Sequence, residues 1–322
     1  MPKANASRKG SLAFRPRKRA STFNARIRNW PTYRKPSLLG FAGYKAGMLH
    51  FAYNEDQPNS PLKGKEVSAM GTLIEVPPIH VYGIRAYKKT SYGMRLLGDF
   101  FVKDDPQLKK ARIKIRKGKE ISELDKYLEE ISDVRALVFT NPSMTSIGKK
   151  TPERIELGVG GDSVKSKVEY LKSIIGKDVN VEDVLEKGSY VDVIGVTKGK
   201  GWQGVVKRFG IAIQRRKATG KRRHLGNLGS WHPPIVEYTI AQAGQMGLHK
   251  RTILNNLVVD MGTPDKIDMN GGIINYGVIK TRYILIKGSI PGPKKRLVKL
   301  RRSLRKPISK RDLKVTYLSR AM

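Results

Sequence analysis

Residues 215–234 read RRKATGKRRHLGNLGSWHPP and hold the side chains best suited to chemistry in this sequence. They contain six Lys/Arg, no acid, three glycines and, at their end, Trp231, His232, Pro233 and Pro234. An Arg fork meets phosphate oxygens in a planar, bidentate way, while Lys offers a point charge. An indole stacks on a base with roughly 1–3 kcal/mol per base. Glycines at 220, 226 and 229 let the backbone approach a ligand closely, and the two prolines stiffen the turn. The chemistry is that of holding a polyanion. Trp231 either stacks on a base or anchors the loop to the protein body.

Bond-making chemistry has little to stand on. The segment GVTKGKGWQG (195–204) is glycine-rich, but a P-loop needs a glycine where Lys200 stands and a Ser/Thr after a Gly-Lys pair. Its glycines suit a hairpin from which Lys200 and Arg208 reach outward, with Trp202 in the core or at its boundary. The five histidines, His50, His80, His224, His232 and His249, form no i,i+4 pair and have no acid at metal-motif spacing. No cysteine is present, which excludes disulfides and thiolate zinc. His232 or His249 as a general base lacks a neighbouring nucleophile or carboxylate, and contacts to bases or phosphates suit them better. The competing reading is an enzyme or assembly factor that modifies RNA; it requires clustered acids or a cofactor pocket.

The charge supports binding. With 64 Lys/Arg against 27 Asp/Glu the net charge is +37, which repels itself in a compact chain and attracts a polyanion. The acids are segregated. None precedes Glu55, none lies in 193–236, only Asp312 lies beyond residue 290, and 16 fall between Asp104 and Glu186. Basic extensions on a balanced, folded body follow from that pattern. The N-terminal MPKANASRKGSLAFRPRKR has no apolar run of signal-peptide length, and no stretch approaches the ~20 residues of a membrane span, so a soluble, intracellular, cytoplasmic protein is expected.

The elements that must position these residues read as mixed β. Residues 1–36 form a basic arm, whose Trp30 and Tyr33 either stack on bases or pin it to the body. Residues 38–56 suggest short strands joined by tight turns. Residues 67–87 contain two strand runs broken at Pro77-Pro78, and 94–103 a further strand. The texture then changes. Leu124, Leu128 and Ile131 follow helical spacing, RALVFTNP and ERIELGVGG read as strands, and Asp162 or Ser163 can cap a helix that stops at Gly176. Residues 104–176 are therefore expected to be an inserted small α/β domain in a β body of 37–103 and 177–290. Residues 207–250 form a central extension and 291–322 a basic tail.

The segment LEKGSYVDVIGVTKGKGWQGVVKR (185–208) resembles the signature of the universal large-subunit ribosomal protein L-three family. Leu185, Asp192, Gly195, Thr197, Gly199, Lys200, Gly201, Gly204 and Arg208 fill its fixed places. GNLGSWHPP and AQAGQMGLHKRT are similar to that family's central extension and its return, and the arm, insertion and tail have the archaeal–eukaryotic look. The resemblance implies a translation-protein-type β-barrel and a non-enzymatic, monomeric rRNA binder of the large subunit. It also implies a role in early assembly, an extension running toward the peptidyl-transferase centre, neighbouring ribosomal proteins as partners, and no cofactor beyond Mg2+ carried by the rRNA. Some relatives methylate a histidine in the extension, but His224 does not stand at the matching distance before Trp231.

The residues expected on RNA are Lys198, Lys200, Lys207, Arg208, Arg215, Arg216, Lys217, Lys221, Arg222, Arg223, His224, Trp231 and His232. In the arm they are Arg15, Arg17, Lys18, Arg19, Arg26 and Arg28. Each phosphate neutralised contributes about −0.7 to −0.9 to the log–log salt slope. Replacing Lys221, Arg222 and Arg223 together by Ala should make that slope shallower on large-subunit rRNA fragments; an unchanged slope would place these side chains in solvent.

Overall fold

The structure, a computed structural model, describes residues 7–102, 105–113, 115, 118–218, 220–267, 271–305, 310–311 and 313–319. The chain divides into two compact units. One comprises Phe23–Gly195 with Arg251–Met322, the other Met1–Thr22 with Val196–Lys250, in each case over their described residues.

The larger unit is β-rich. Its first sheet uses β1 (Gly40–Asn54), β2 (Glu66–Glu75), β9 (Tyr190–Val196), β12 (Lys250–Gly262), β13 (Tyr283–Lys287), β14 (Leu297–Arg302) and β15 (Val315–Leu318). The order is β14-β9-β12-β13-β2-β1-β15, and β14 also pairs with β1. Six strands therefore close into a ring, with β15 as an appendage on β1. Closure leaves the ring no free edge.

Residues 38–56 do not break into short strands; β1 runs without interruption for 15 residues. Its glycines permit close approach instead of turning. A Cβ at Gly43 would lie 2.6–2.7 Å from Val76, the Glu75 carbonyl and Ile74, and the chain absorbs irregularity as a register shift between Lys45 and Gly47. Pro77-Pro78 lies between the end of β2 and the start of β3, where missing N–H groups cost no ladder bond.

The second sheet takes β3 (Ile79–Thr90), β4 (Gly93–Phe101), β5 (Lys119–Glu120), β6 (Asp133–Thr140) and β7 (Arg154–Gly158), with β8 (Asp178–Val179) paired to β3. It carries α1 (Pro106–Lys110) and α2 (Val164–Ile174). Ser163, not Asp162, caps α2, accepting from the Ser166 amide. The sheet begins at Ile79, so β3 and β4 belong with the α/β layer and not with the ring. One buried cluster, including Phe41, Leu73, Ile84, Val134 and Val193, runs through both sheets. The expected α-helix around Leu124 is a 3-10 turn, Ile121–Tyr127. Its apolar residues recur every three positions, the spacing that a 3-10 turn superposes on one face.

The tail is not separate either. Residues 297–302 and 315–318 supply two strands of the first sheet. Their charge concealed this, because Lys299 and Arg301 are buried strand positions. Arg301 reaches Asp192 at 2.5 Å, and Asp192 also accepts from the Asn255 and Leu304 amides at 3.0 and 3.2 Å. In the second half of the arm, Ala25 and Ile27 are buried while Arg26 and Arg28 point outward. Trp30 lies against Gly40 and Gly158, and Arg302 sits over the Tyr33 ring at 4.5 Å. Trp30 and Tyr33 thus hold this part of the arm to the larger unit.

Glu156 sits among the Tyr87 hydroxyl at 2.6 Å, Arg135 at 2.6 Å and Arg85 at 3.4 Å. Burial pushes its pKa up, but the Tyr87 hydroxyl and the two guanidinium groups outweigh burial and hold it below the ordinary glutamate value. A carboxylate depressed in the folded state stabilises above its unfolded pKa, and that contribution fades as pH falls through the folded pKa. Glu156→Gln should lower the urea midpoint at neutral pH, and the gap to the parent should narrow at about pH 4. An equal gap at both would show that Glu156 contributes by shape alone.

Candidate nucleic-acid interface

The smaller unit is built around a two-stranded ribbon, β10 (Gly199–Gln203) with β11 (Gly244–Gly247), and a short helix, α3 (Val205–Phe209). Across residues 1–22 and 196–250 the sequence has eighteen Lys/Arg and one acid, Glu237. One carboxylate cannot neutralise the other cations of this unit. They must use carbonyl oxygens, aromatic faces, water or an external anion.

Arg208 shows the first solution. Its guanidinium donates to the carbonyls of Gln245 at 3.0 Å, Gln242 at 2.8 Å and Arg17 at 3.3 Å. Burial, with the nearby Arg15 charge, lowers its pKa from the usual arginine value. Arg208 therefore knits the ribbon, the return strand and the arm together, and it is only partly exposed. Arg17 shows the second solution. It stacks on Phe209 at 4.1 Å, beside Arg208 at 5.2 Å, and Arg15 lies over Tyr238 at 5.1 Å. Backbone bonds complete the neck: Ala20 N to Leu248 O at 2.8 Å and Thr197 N to His249 O at 3.0 Å. His249 Nδ1 lies 3.2 Å from the Lys18 carbonyl, so its ring faces the arm. Gly247 is demanded by φ +78° and by the Lys198 carbonyl, which a Cβ would meet at 2.1 Å.

From 211 to 243 the described residues form neither strand nor helix. Arg215, Arg216, Lys217, Lys221, Arg222, Arg223, His224 and His232 are all exposed, as are Lys198, Lys200, Lys207, Lys18 and Arg19. Trp231 is 87% exposed, with Leu228, Ile235, Val236 and Tyr238 also open. Local bonds shape the tip: Gly229 N to Asn227 Oδ1 at 2.9 Å, and Ser230 Oγ to the His232 carbonyl at 2.5 Å. Trp231 is no loop anchor on the protein. Trp202, expected in the core or at its boundary, is 77% exposed. No period links the apolar residues of the tip, so the sequence does not mark them.

Five of the nine signature positions give two kinds of support. Leu185 and Asp192 are buried in the larger unit. Thr197, Gly199 and Arg208 build the neck of the smaller one, with the Thr197 hydroxyl accepting from the His249 amide at 3.2 Å.

The chain matches the model of the family described as ribosomal protein L3 over residues 1–320. It belongs to the ribosomal protein L3 family. It is 42% identical to the large ribosomal subunit protein uL3 of Methanobrevibacter smithii, covering 99% of this chain and 98% of that one. To the protein of the same name from Methanothermobacter thermautotrophicus it is 43% identical over 100% of this chain and 98% of the relative. To that of Archaeoglobus fulgidus it is 41% identical over 98% of each.

A member of this family is a structural component, not an enzyme. Among the described residues no group of three or more His, Cys, Asp or Glu could hold a metal ion, and no helix is long and apolar enough to cross a membrane. One constellation escaped the sequence. His80 is buried between Asp105 at 2.7 Å and Asp178 at 2.6 Å. Asp105 is also the cap of α1, accepting from the Gln107 amide. Both ring nitrogens are occupied, so His80 staples β3 to α1 and has no free nitrogen for a substrate.

The carbonyl contacts of Arg208 generate a prediction. Arg208→Ala should loosen the neck, seen as faster tryptic cleavage at Lys198 and Lys200 in the free chain, and Arg208→Lys should not restore protection. Unchanged cleavage in both variants would mean that these carbonyls find water equally well.

Proposed function

We propose that the smaller unit is the main grip of this chain on large-subunit rRNA. As a member of its family the chain is a structural constituent of the large ribosomal subunit. The observation that carries the finer reading is the exposed strip 211–243. It presents cations and Trp231 to the outside, with Glu237 as its one acid. A surface of this kind lacks the apolar neighbours of a protein core and fits phosphates and unpaired bases.

In this reading Lys198, Lys200, Lys207, Arg215, Arg216, Lys217, Lys221, Arg222 and Arg223 neutralise phosphates. His224, Trp231 and His232 contact bases or phosphates. Arg19 and Lys18 extend the grip along the arm, and Arg26 and Arg28 do so from the larger unit. Arg15, Arg17 and Arg208 act mainly by holding the neck in shape. The closed six-strand ring supports the translation-protein-type barrel that the family resemblance implies. Residues 207–250 run through rRNA toward the peptidyl-transferase centre, the chain joins early in assembly, and it acts as a monomer beside other ribosomal proteins in the cytoplasm. Any Mg2+ is carried by the RNA, and no other cofactor takes part.

High-salt sedimentation tests the reading: the chain should remain with the large subunit while accessory factors wash off. Trp231→Ala tests the tip. Losing a buried Trp costs about 3–5 kcal/mol of stability, whereas this exposed ring should leave the melting temperature of the free chain nearly unchanged. Mutant ribosomes should lose stacking on the order of 1–3 kcal/mol, a roughly five- to hundredfold change in peptide-bond formation at most. A large drop in melting temperature with normal ribosome activity would contradict the tip assignment.

A further inference from the structure

We propose that Trp202 forms a second base-stacking platform, separate from the tip at Trp231, that takes an unpaired RNA base. This assignment rests on the reading of the smaller unit as an rRNA interface. Of the three tryptophans, Trp30 is partly buried against glycines of the larger unit, whereas Trp202 is 77% exposed on a hydrogen-bonded ribbon. A large apolar ring on a rigid strand is normally covered by its cross-strand and along-strand neighbours. Here those neighbours leave it bare.

The residue opposite Trp202 is Gln245. Its side-chain amide is turned along its own strand, donating to the carbonyls of Met246 at 3.0 Å and Gly247 at 3.1 Å. In the other two pairs of the ribbon the β11 residue is a glycine: Gly247 faces Gly199, and Gly244 faces Gln203. Beside Trp202 in sequence, Gly201 and Gly204 have open space where a Cβ would stand. The ladder is irregular between Gly199 and Trp202, and the Gln203 amide closes that irregularity on the Lys200 carbonyl at 2.6 Å. The indole is thus fixed by its backbone and left bare.

The charge around it selects the occupant. Lys198, Lys200 and Lys207 are exposed on the same short segment, and no acid lies between residues 193 and 236. An aromatic face next to ammonium groups with no carboxylate suits a nucleobase whose phosphates lie within reach of lysine. A neutral or basic protein segment would gain nothing from those lysines. Duplex RNA would keep its bases stacked away from the ring, so the ligand is an unpaired base.

The full-length chain tests this with Trp231→Phe as background, which leaves Trp202 as the exposed indole. Single-stranded oligoadenylate should quench its emission, and duplex RNA of equal charge should not. Adding Trp202→Leu should abolish the quench and weaken oligoadenylate binding about tenfold with an unchanged salt slope, whereas Trp202→Tyr should keep most of the affinity. Binding without quenching, equal quenching by duplex, or an unaltered affinity in Trp202→Leu would overturn the assignment. So would a marked fall in melting temperature, which would make the indole a packing group. Quenching by basic ribosomal proteins but not by oligoadenylate would give the site to a protein partner. If the parent chain bound no RNA at all, the interface reading itself would fail, and this assignment with it.

Discussion

A cation taken out of water needs an anion or a set of carbonyl oxygens, and this chain meets that demand in two different ways. In the larger unit many partners are carboxylates, although Lys45 takes the Ile290 and Gly292 carbonyls and Arg302 the Tyr33 ring. Arg301 has Asp192, Arg311 has Glu55 and Asp56, and Arg85 has Asp99 and Glu156. Charged side chains can then occupy strand positions beside an apolar core without an uncompensated charge. In the smaller unit the sequence withholds the carboxylates. Arg208 takes three carbonyls and Arg17 takes an aromatic face, which fixes the neck. Beyond the neck the supply of internal partners ends, and the remaining cations stay on the surface.

This division gives the family signature a physical sense. Only Lys200 among its nine positions is an exposed cation. Asp192 is a buried counter-ion, and Arg208 is a cross-link made of carbonyl contacts. The signature secures a body and a neck; the exposed cations at 215–217 and 221–223 lie after it. A surface that must follow an irregular RNA needs charge and adaptable backbone more than periodic packing.

How much of this could be read beforehand depends on whether the deciding force was local. Ser163 before an amphipathic run, Pro77-Pro78 between strands and Asn141-Pro142 after β6 are local signals, and the structure places boundaries there. The acid-free strip was legible because charge is counted, not folded. Other features depended on distant partners. The glycines of β1 resemble turn formers until β2 is laid against them. Nothing in β3 or β4 says which sheet they join, and Lys299 and Arg301 look like tail residues until Asp192 is seen opposite Arg301. An indole usually packs in a core or at its boundary; only the glycines of β11, more than forty residues after Trp202, show why it stays exposed.

The central claim is that residues 211–243 form neither strand nor helix and leave their cations and Trp231 exposed because RNA supplies their surroundings. Hydrogen exchange on the full-length chain, free and bound to a large-subunit rRNA fragment, tests it most directly. The account predicts fast amide exchange through 211–243 in the free chain, strong slowing there on RNA, and little change in β1, β2 and β13. Strong protection of 211–243 in the free chain, or no change on RNA, would contradict it.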